Sequence, residues 1–202
     1  MDQLNLFGNT IPPALPADLL TYYAAVFDAK QSIALMKTFI TTVPWQQQII
    51  SMYGKQVATP RLTAWYGDKG SDYTFSGTKF DPIPWTDELL EIKETVEKVA
   101  ATRFNSVLLN YYRDGNDSVA WHSDDEYELG IKPIIASVSF GQTRRFDVRK
   151  KADHQSKYSV ELENGSLLLM KGDLQHNWEH RVAKSTKQLK ERVNLTFRII
   201  SK

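Results

Sequence analysis

Four histidines are spread over 202 residues, and one of them stands in the densest acidic stretch, VAWHSDDEYELG. His122 and Asp124 are two apart there, so an extended backbone projects both side chains to one face and Ser123 to the other. An imidazole nitrogen and a carboxylate oxygen on one face make two legs of a metal site. One more histidine from a separate strand would complete a facial triad with three open positions, the arrangement of non-haem Fe(II) centres that react with oxygen. H-x-D alone is a weak signal, because the same letters fit a polar surface turn. The third ligand must come from His154, His176 or His180. His154 lies in the polar segment KKADHQSK and reads as a solvent histidine. His176 and His180 have the i,i+4 spacing of a helical zinc pair, but GSLLLMKGDLQHNWEHRV reads as strand, turn, strand. That leaves His176 in the turn and favours His180, which sits in a strand-like run with Trp178 and Val182.

A second chemical pattern closes the chain. In RVNLTFRII, Arg192, Asn194, Thr196 and Arg198 alternate with Val193, Leu195, Phe197 and Ile199, so the two sets occupy opposite faces. Two arginines turned inward need anions, because buried charge must be paired. A dicarboxylate co-substrate would satisfy both through bidentate guanidinium contacts. The alternative is an edge strand with both arginines in water.

The elements that must position these residues are legible in outline. Length fits one domain, and 42% hydrophobic with 11% aromatic residues suffices for a core. Residues 1–25 read as a proline-rich arm and 26–202 as a single domain. A helix should follow Asp28, with Asp28 and Gln31 as a capping box, Ile33, Met36 and Ile40 as the buried stripe, and Pro44 at the exit. Another should run from about Thr86 to Ala101 on Leu89, Ile92, Val96 and Val99. From Phe104 onward, short strands separated by Gly, Asp and Asn predict a β-sandwich or jelly roll with the helices on one face. The expected class is therefore α+β, mainly β.

Cysteine is absent, which excludes disulfides and cysteine-ligated metals. No apolar run suggests a membrane span, and the N-terminus lacks the pattern of a secretory signal. The net charge of +1 is uninformative, but its distribution is not: Arg181 to Lys202 carries seven cations against Glu191 alone. Such a run is either a solvated face or a phosphate-binding one.

Six stretches, RLTAWYGD, YTFSG, NYYRDG, WHSDDE, IIASVSFG and RVNLTFR, occur in that order over roughly residues 45–202. They resemble the AlkB family of Fe(II)/2-oxoglutarate-dependent dioxygenases, particularly its eukaryotic DNA-repair homologues. The resemblance implies a double-stranded β-helix (jelly roll) with the N-terminal helices packed on one sheet. It implies Fe(II) as cofactor, held by His122, Asp124 and His180, with 2-oxoglutarate and O2 as co-substrates. Asn110 and Tyr112 match the pair that helps hold 2-oxoglutarate. Arg192 and Arg198 match its carboxylate anchors, Arg198 being expected on the far C5 carboxylate, with Asn194 close by.

On the substrate side, the resemblance implies nucleotide-recognition hairpins at about 49–80. Tyr73 and Phe75 would stack on an extruded base. Tyr53 or Met52 would wedge into a duplex, and Asp125 and Glu126 would lie beside the substrate. Lys55, Lys184, Lys187 and Lys190 would contact phosphates. The implied activity is oxidative demethylation of N-alkylated DNA bases such as 1-methyladenine and 3-methylcytosine, in single or double strands. RNA is the other candidate polymer. A same-fold dioxygenase acting on RNA, protein or a small molecule is the alternative, as is a non-catalytic nucleic-acid-binding jelly roll. The chain is expected to act as an intracellular monomer, in the cytoplasm (nucleoid) of a bacterium or the nucleus of a eukaryote.

Overall fold

The computed structural model describes residues 15–52, 54–75 and 78–201, with the backbone alone at 50–52, 73–75 and 78–80. Helix α1 (Ala29–Thr42) starts where its cap predicts: the Asp28 carboxylate accepts from the Gln31 amide at 2.8 Å. Its buried face is rotated from the predicted stripe, however. Ile33 is 45% exposed, whereas Ser32 and Phe39 are buried, with Leu35, Met36 and Ile40 partly so. Packing decided this, since Phe39 offers the larger apolar surface and lies against Phe140. Ser32 must be small because the chain passes close beside it. Gly165 has φ +79°, and a Cβ there would lie 2.1 Å from the Phe27 carbonyl oxygen and 2.8 Å from Ser32 Oγ. Helix α2 (Asp87–Ala100) follows its sequence closely. Thr86 Oγ1 accepts from the Leu89 amide, Asp87 and Glu88 occupy the first turn, and Leu89, Ile92 and Val96 are buried.

The strands, numbered in chain order, form two facing sheets. The six-stranded sheet runs β1 (Leu20–Tyr23), β12 (Ser166–Met170), β9 (Ile135–Gly141), β14 (Arg192–Arg198), β7 (Ser106–Tyr112) and β4 (Leu62–Gly67). The four-stranded sheet runs β11 (Lys157–Leu162), β10 (Arg144–Lys150), β13 (Trp178–Val182) and β8 (Val119–His122). Hairpins β2 (Ile49–Met52)–β3 (Lys55–Ala58) and β5 (Tyr73–Phe75)–β6 (Thr78–Phe80) stand apart as separate two-stranded sheets. Ladder pairing is antiparallel throughout, as a jelly roll requires. Residues 20–23, predicted to belong to the arm, instead pair with β12 in the register Leu20↔Met170. Leu19 and Leu20 gave that segment an apolar anchor in the core.

Two apolar clusters follow from the alternation of each strand. Val193, Leu195 and Phe197 join Val107, Leu109, Val138 and Phe140 on the outer face of the larger sheet, where both helices cover them. Trp65, Tyr112, Ile135, Phe146, Val148, Leu168 and Met170 pack between the sheets. Among the described residues, no helix is long and apolar enough to cross a membrane.

Candidate metal and dicarboxylate site

Register brings the two histidines together. His122 ends β8 and lies directly opposite His180 of β13, with ring centroids 4.3 Å apart. Asp124 follows two residues beyond the strand, where its amide donates to Gln175 Oε1 at 2.9 Å. Among the described residues, His122, Asp124 and His180 form a cluster whose ligand atoms all lie within 4.8 Å of one another. His122 Nδ1 lies 2.9 Å from the Ala120 carbonyl oxygen. A proton on Nδ1 would donate to that oxygen and leave the Nε2 lone pair facing Asp124, whose Oδ1 is 3.7 Å away. His180 is buried against the Phe146 ring, and its Nδ1 has no hydrogen-bond partner. Two imidazoles and a carboxylate, with a buried nitrogen lacking a protein partner, fit a divalent transition metal. The other candidate histidines lie elsewhere. His154 is exposed beside Glu179, and His176 is exposed on the one-turn helix α3 (Leu174–Asn177).

Charge is arranged to keep these groups ready for a cation. Burial alone would raise the Asp124 carboxyl, but the Arg198 guanidinium, 2.9 Å away, holds it well below the usual carboxylate range. Burial also pushes His180 down to about 3, so its imidazole is neutral at pH 7. In the metal-free protein the unfolded chain therefore takes up a proton at this histidine, near pH 6.5, before the folded chain does. Stability contributed by neutral His180 is complete above that pH and is lost as pH falls towards about 3. The full loss is on the order of 5 kcal/mol. Urea midpoints of chelator-treated protein at pH 7.5, 5 and 4 should fall in that order, and His180→Leu should flatten the trend. Equal midpoints would show that His180 is not held neutral.

The second half of the site lies along β14, which is central between β9 and β7, so the edge-strand alternative does not apply. Arg192, Asn194, Thr196 and Arg198 all line one cavity of about 190 Å³ that also takes in His122, Asp124 and His180. Arg198 is not where the resemblance put it. Its Nη2 donates to Asp124 Oδ2, at the metal end, because it sits six residues along the strand from Arg192. Arg192, at the other end of the wall, could meet a distant carboxylate. It is 1% exposed, Nη2 donates to Ser139 Oγ at 2.9 Å, and Nε and Nη1 have no hydrogen-bond partner. Burial lowers its pKa, opposed by Tyr112, whose ring centroid lies 4.9 Å from Arg192 Cζ. Asn110 Nδ2 donates to Asn194 Oδ1 at 3.4 Å, and Asn194 Nδ2 donates to Ser137 Oγ and the Val138 carbonyl, each at 2.8 Å. Asn110, Tyr112 and Asn194 thus meet at the Arg192 end.

Of the predicted substrate residues whose side chains are described, none lines this cavity. Asp125 is exposed and pairs with Lys151 at 3.2 Å, while Glu126 is half-buried; neither lines the cavity. Lys184, Lys187 and Lys190 are exposed on the loop from β13 to β14, and Lys55 is exposed on β3. Tyr73 and Phe75 fall two apart on β5, and Met52 pairs with Lys55 across the first hairpin; their side chains lie outside the description. Tyr53 is itself outside the described residues.

Three residues that matter here were missed. Arg61 lines the cavity and its Nε donates to Asn110 Oδ1 at 2.8 Å. It could have been found, since Arg61, Thr63 and Trp65 alternate in RLTAWYGD and share that wall. Gln175, which holds the Asp124 amide, gave no signal, because a turn residue's partner 51 positions away has no local pattern. Arg144, buried over the Tyr112 ring, donates to the carbonyls of Asp114, Asp117 and Ala183, yet in the sequence it belongs to a run that reads as solvated cations.

The sequence model of the 2OG-Fe(II) oxygenase superfamily matches residues 19–198. The chain is 40% identical over 187 residues to the alpha-ketoglutarate-dependent dioxygenase alkB homolog 3 of Mus musculus, covering 88% of this chain and 65% of that one. It is 42% identical over 159 residues to the DNA oxidative demethylase ALKBH2 of Bos taurus, covering 75% of this chain and 57% of that one. The chain thus spans less than two thirds of the length of these relatives. The solved structure of OsALKBH1 superposes with a TM-score of 0.64 at 18% identity, covering 89% of this chain and 97% of that one, which supports the jelly-roll fold. With the matched span, the paired sheets and the His-Asp-His cluster in agreement, the chain belongs to the 2OG-Fe(II) oxygenase superfamily and, within it, to the AlkB family.

Proposed function

We propose that this chain is an Fe(II)- and 2-oxoglutarate-dependent dioxygenase that removes alkyl groups from nucleic-acid bases, with N-methylated DNA bases such as 1-methyladenine and 3-methylcytosine as substrates. The observation that carries the reading is the pairing, in one cavity, of the His122–Asp124–His180 cluster with a buried Arg192 guanidinium that has two nitrogens to spare. A metal at one end and a cation at the other suit a molecule that chelates with one end and carries a carboxylate at its other. With Fe(II) bound, 2-oxoglutarate is oxidised to succinate and CO2 by O2 while an N-methyl carbon is hydroxylated and then lost as formaldehyde.

The protein's part is geometry and exclusion of water. Arg192 and Tyr112 fix the far carboxylate of the co-substrate, and the Asn110–Asn194 pair walls that end. Arg198 holds Asp124 ionised and aimed at the metal. Phe146 and Met170 form apolar walls that keep water from the reacting carbon. A methyl group on the Watson–Crick edge weakens base pairing, so the damaged base costs less to extrude than a normal one. The lysines on the β13–β14 loop and Lys55 serve the phosphates. The working unit in this reading is the monomer, acting wherever the cell keeps its DNA.

The test is direct. Purified protein with Fe(II), 2-oxoglutarate and oligonucleotides carrying 1-methyladenine or 3-methylcytosine should release formaldehyde and restore the base. Single-stranded DNA, duplex DNA and RNA are compared side by side. Turnover on RNA with none on either DNA form would sink the DNA reading, and no turnover on any would sink the dealkylase.

A further inference from the structure

His122 is the most precariously placed of the three cluster residues. It ends a four-residue strand, β8, at the edge of the smaller sheet, where among the described residues β13 is its one ladder neighbour. Even that ladder is interrupted: His180↔His122 and Val182↔Val119 are in register, with a shift between them. A bulge at this point leaves Ala120 and Trp121 without regular cross-strand partners. His122 faces the cavity, so alternation puts Trp121 on the outer face of the sheet.

On that face the Trp121 ring is gripped by two guanidiniums. Arg149 Cζ lies 4.0 Å from the ring centroid and Arg181 Cζ 4.5 Å. Neither arginine is loose. Arg149 Nε donates to Glu179 Oε1 at 2.5 Å, and Arg181 Nε donates to Asp147 Oδ2 at 3.0 Å. Asp147 also takes a hydrogen bond from Arg145 Nε at 2.7 Å and one from Ser159 Oγ at 2.8 Å. The grip therefore runs from β11 through β10 and β13 to the ring on β8, crossing every strand of the sheet. Cation–π contacts of this kind act on the ring face and need an aromatic side chain.

We propose that Trp121, held between Arg149 and Arg181, is a positioning residue that fixes His122 for metal binding. It supplements a backbone ladder that the register shift interrupts just before His122, and it does so from the face opposite the cavity. This rests on the reading of His122 as an iron ligand.

Mn(II) serves as the probe, with free metal measured by electron paramagnetic resonance on the full chain. Trp121→Ala should weaken Mn(II) binding roughly tenfold, the scale of two lost surface cation–π contacts, while Trp121→Phe keeps most of the affinity. The double variant Arg149→Gln/Arg181→Gln, which leaves the ring in place, should weaken binding to a similar extent without lowering the affinity for 2-oxoglutarate measured at saturating Mn(II). Wild-type affinity in Trp121→Ala would overturn the proposal, as would equal losses in the Ala and Phe variants. Should Trp121→Ala not fold, unchanged affinity in the double arginine variant would overturn it. Absence of Mn(II) binding by the wild type is a different result: it would remove the metal reading itself.

Discussion

Asp124→Ala should abolish metal binding and turnover together, and it should also destabilise the fold. The carboxylate is at once a metal ligand on this reading and the anion facing Arg198, 2.9 Å away in the protein interior. Its removal takes away one of three donors and leaves a buried guanidinium without that countercharge, a loss of about 3 kcal/mol or more. The two effects separate in a second variant. Asp124→Ala/Arg198→Met removes both charges, so its urea midpoint should recover towards the wild type while Mn(II) binding and formaldehyde release stay at background. Retained turnover in Asp124→Ala would refute the metal assignment. A double variant no more stable than the single would refute the account of Arg198.

Arg192→Met is the counterpart at the other end of the cavity. Loss of a charge-assisted contact to a carboxylate should raise the KM for 2-oxoglutarate about 100-fold. Binding of Mn(II) should not change, because Arg192 touches none of the three cluster residues. Stability should change little, since relief from burying the charged guanidinium offsets the lost contacts to Ser139 and Tyr112. A variant whose KM for 2-oxoglutarate matches the wild type would return the far carboxylate to Arg198, as the sequence resemblance had it.

Those two arginines show where sequence reading succeeds and where it stops. Alternation in RVNLTFRII placed four side chains on one wall, and all four line the cavity. Period-2 patterning reports the face a residue points to, and nothing about its depth or its partner across the barrel. Which arginine meets Asp124 depends on how β14 is aligned with the loop after β8, a fact of tertiary register. The same limit explains α1, where spacing gave a helix and its cap correctly but Phe39, not Ile33, set the buried face. Helix α2 was legible almost entirely because one local stripe, one cap and one acidic turn all agree. His180 could be chosen over His154 and His176 from strand context, whereas Gln175 and Trp121 act through contacts between distant strands and leave no local trace.

The two hairpins have a consequence for how such a protein can change. β2–β3 and β5–β6 belong to neither barrel sheet, so no ladder hydrogen bond ties their length or residues to the strands that carry His122, His180 or Arg192. An insertion or a new side chain in either hairpin need not shift the register of the site. The hairpins and the strands that carry the site can therefore vary independently in heredity: one can drift while the other keeps its geometry.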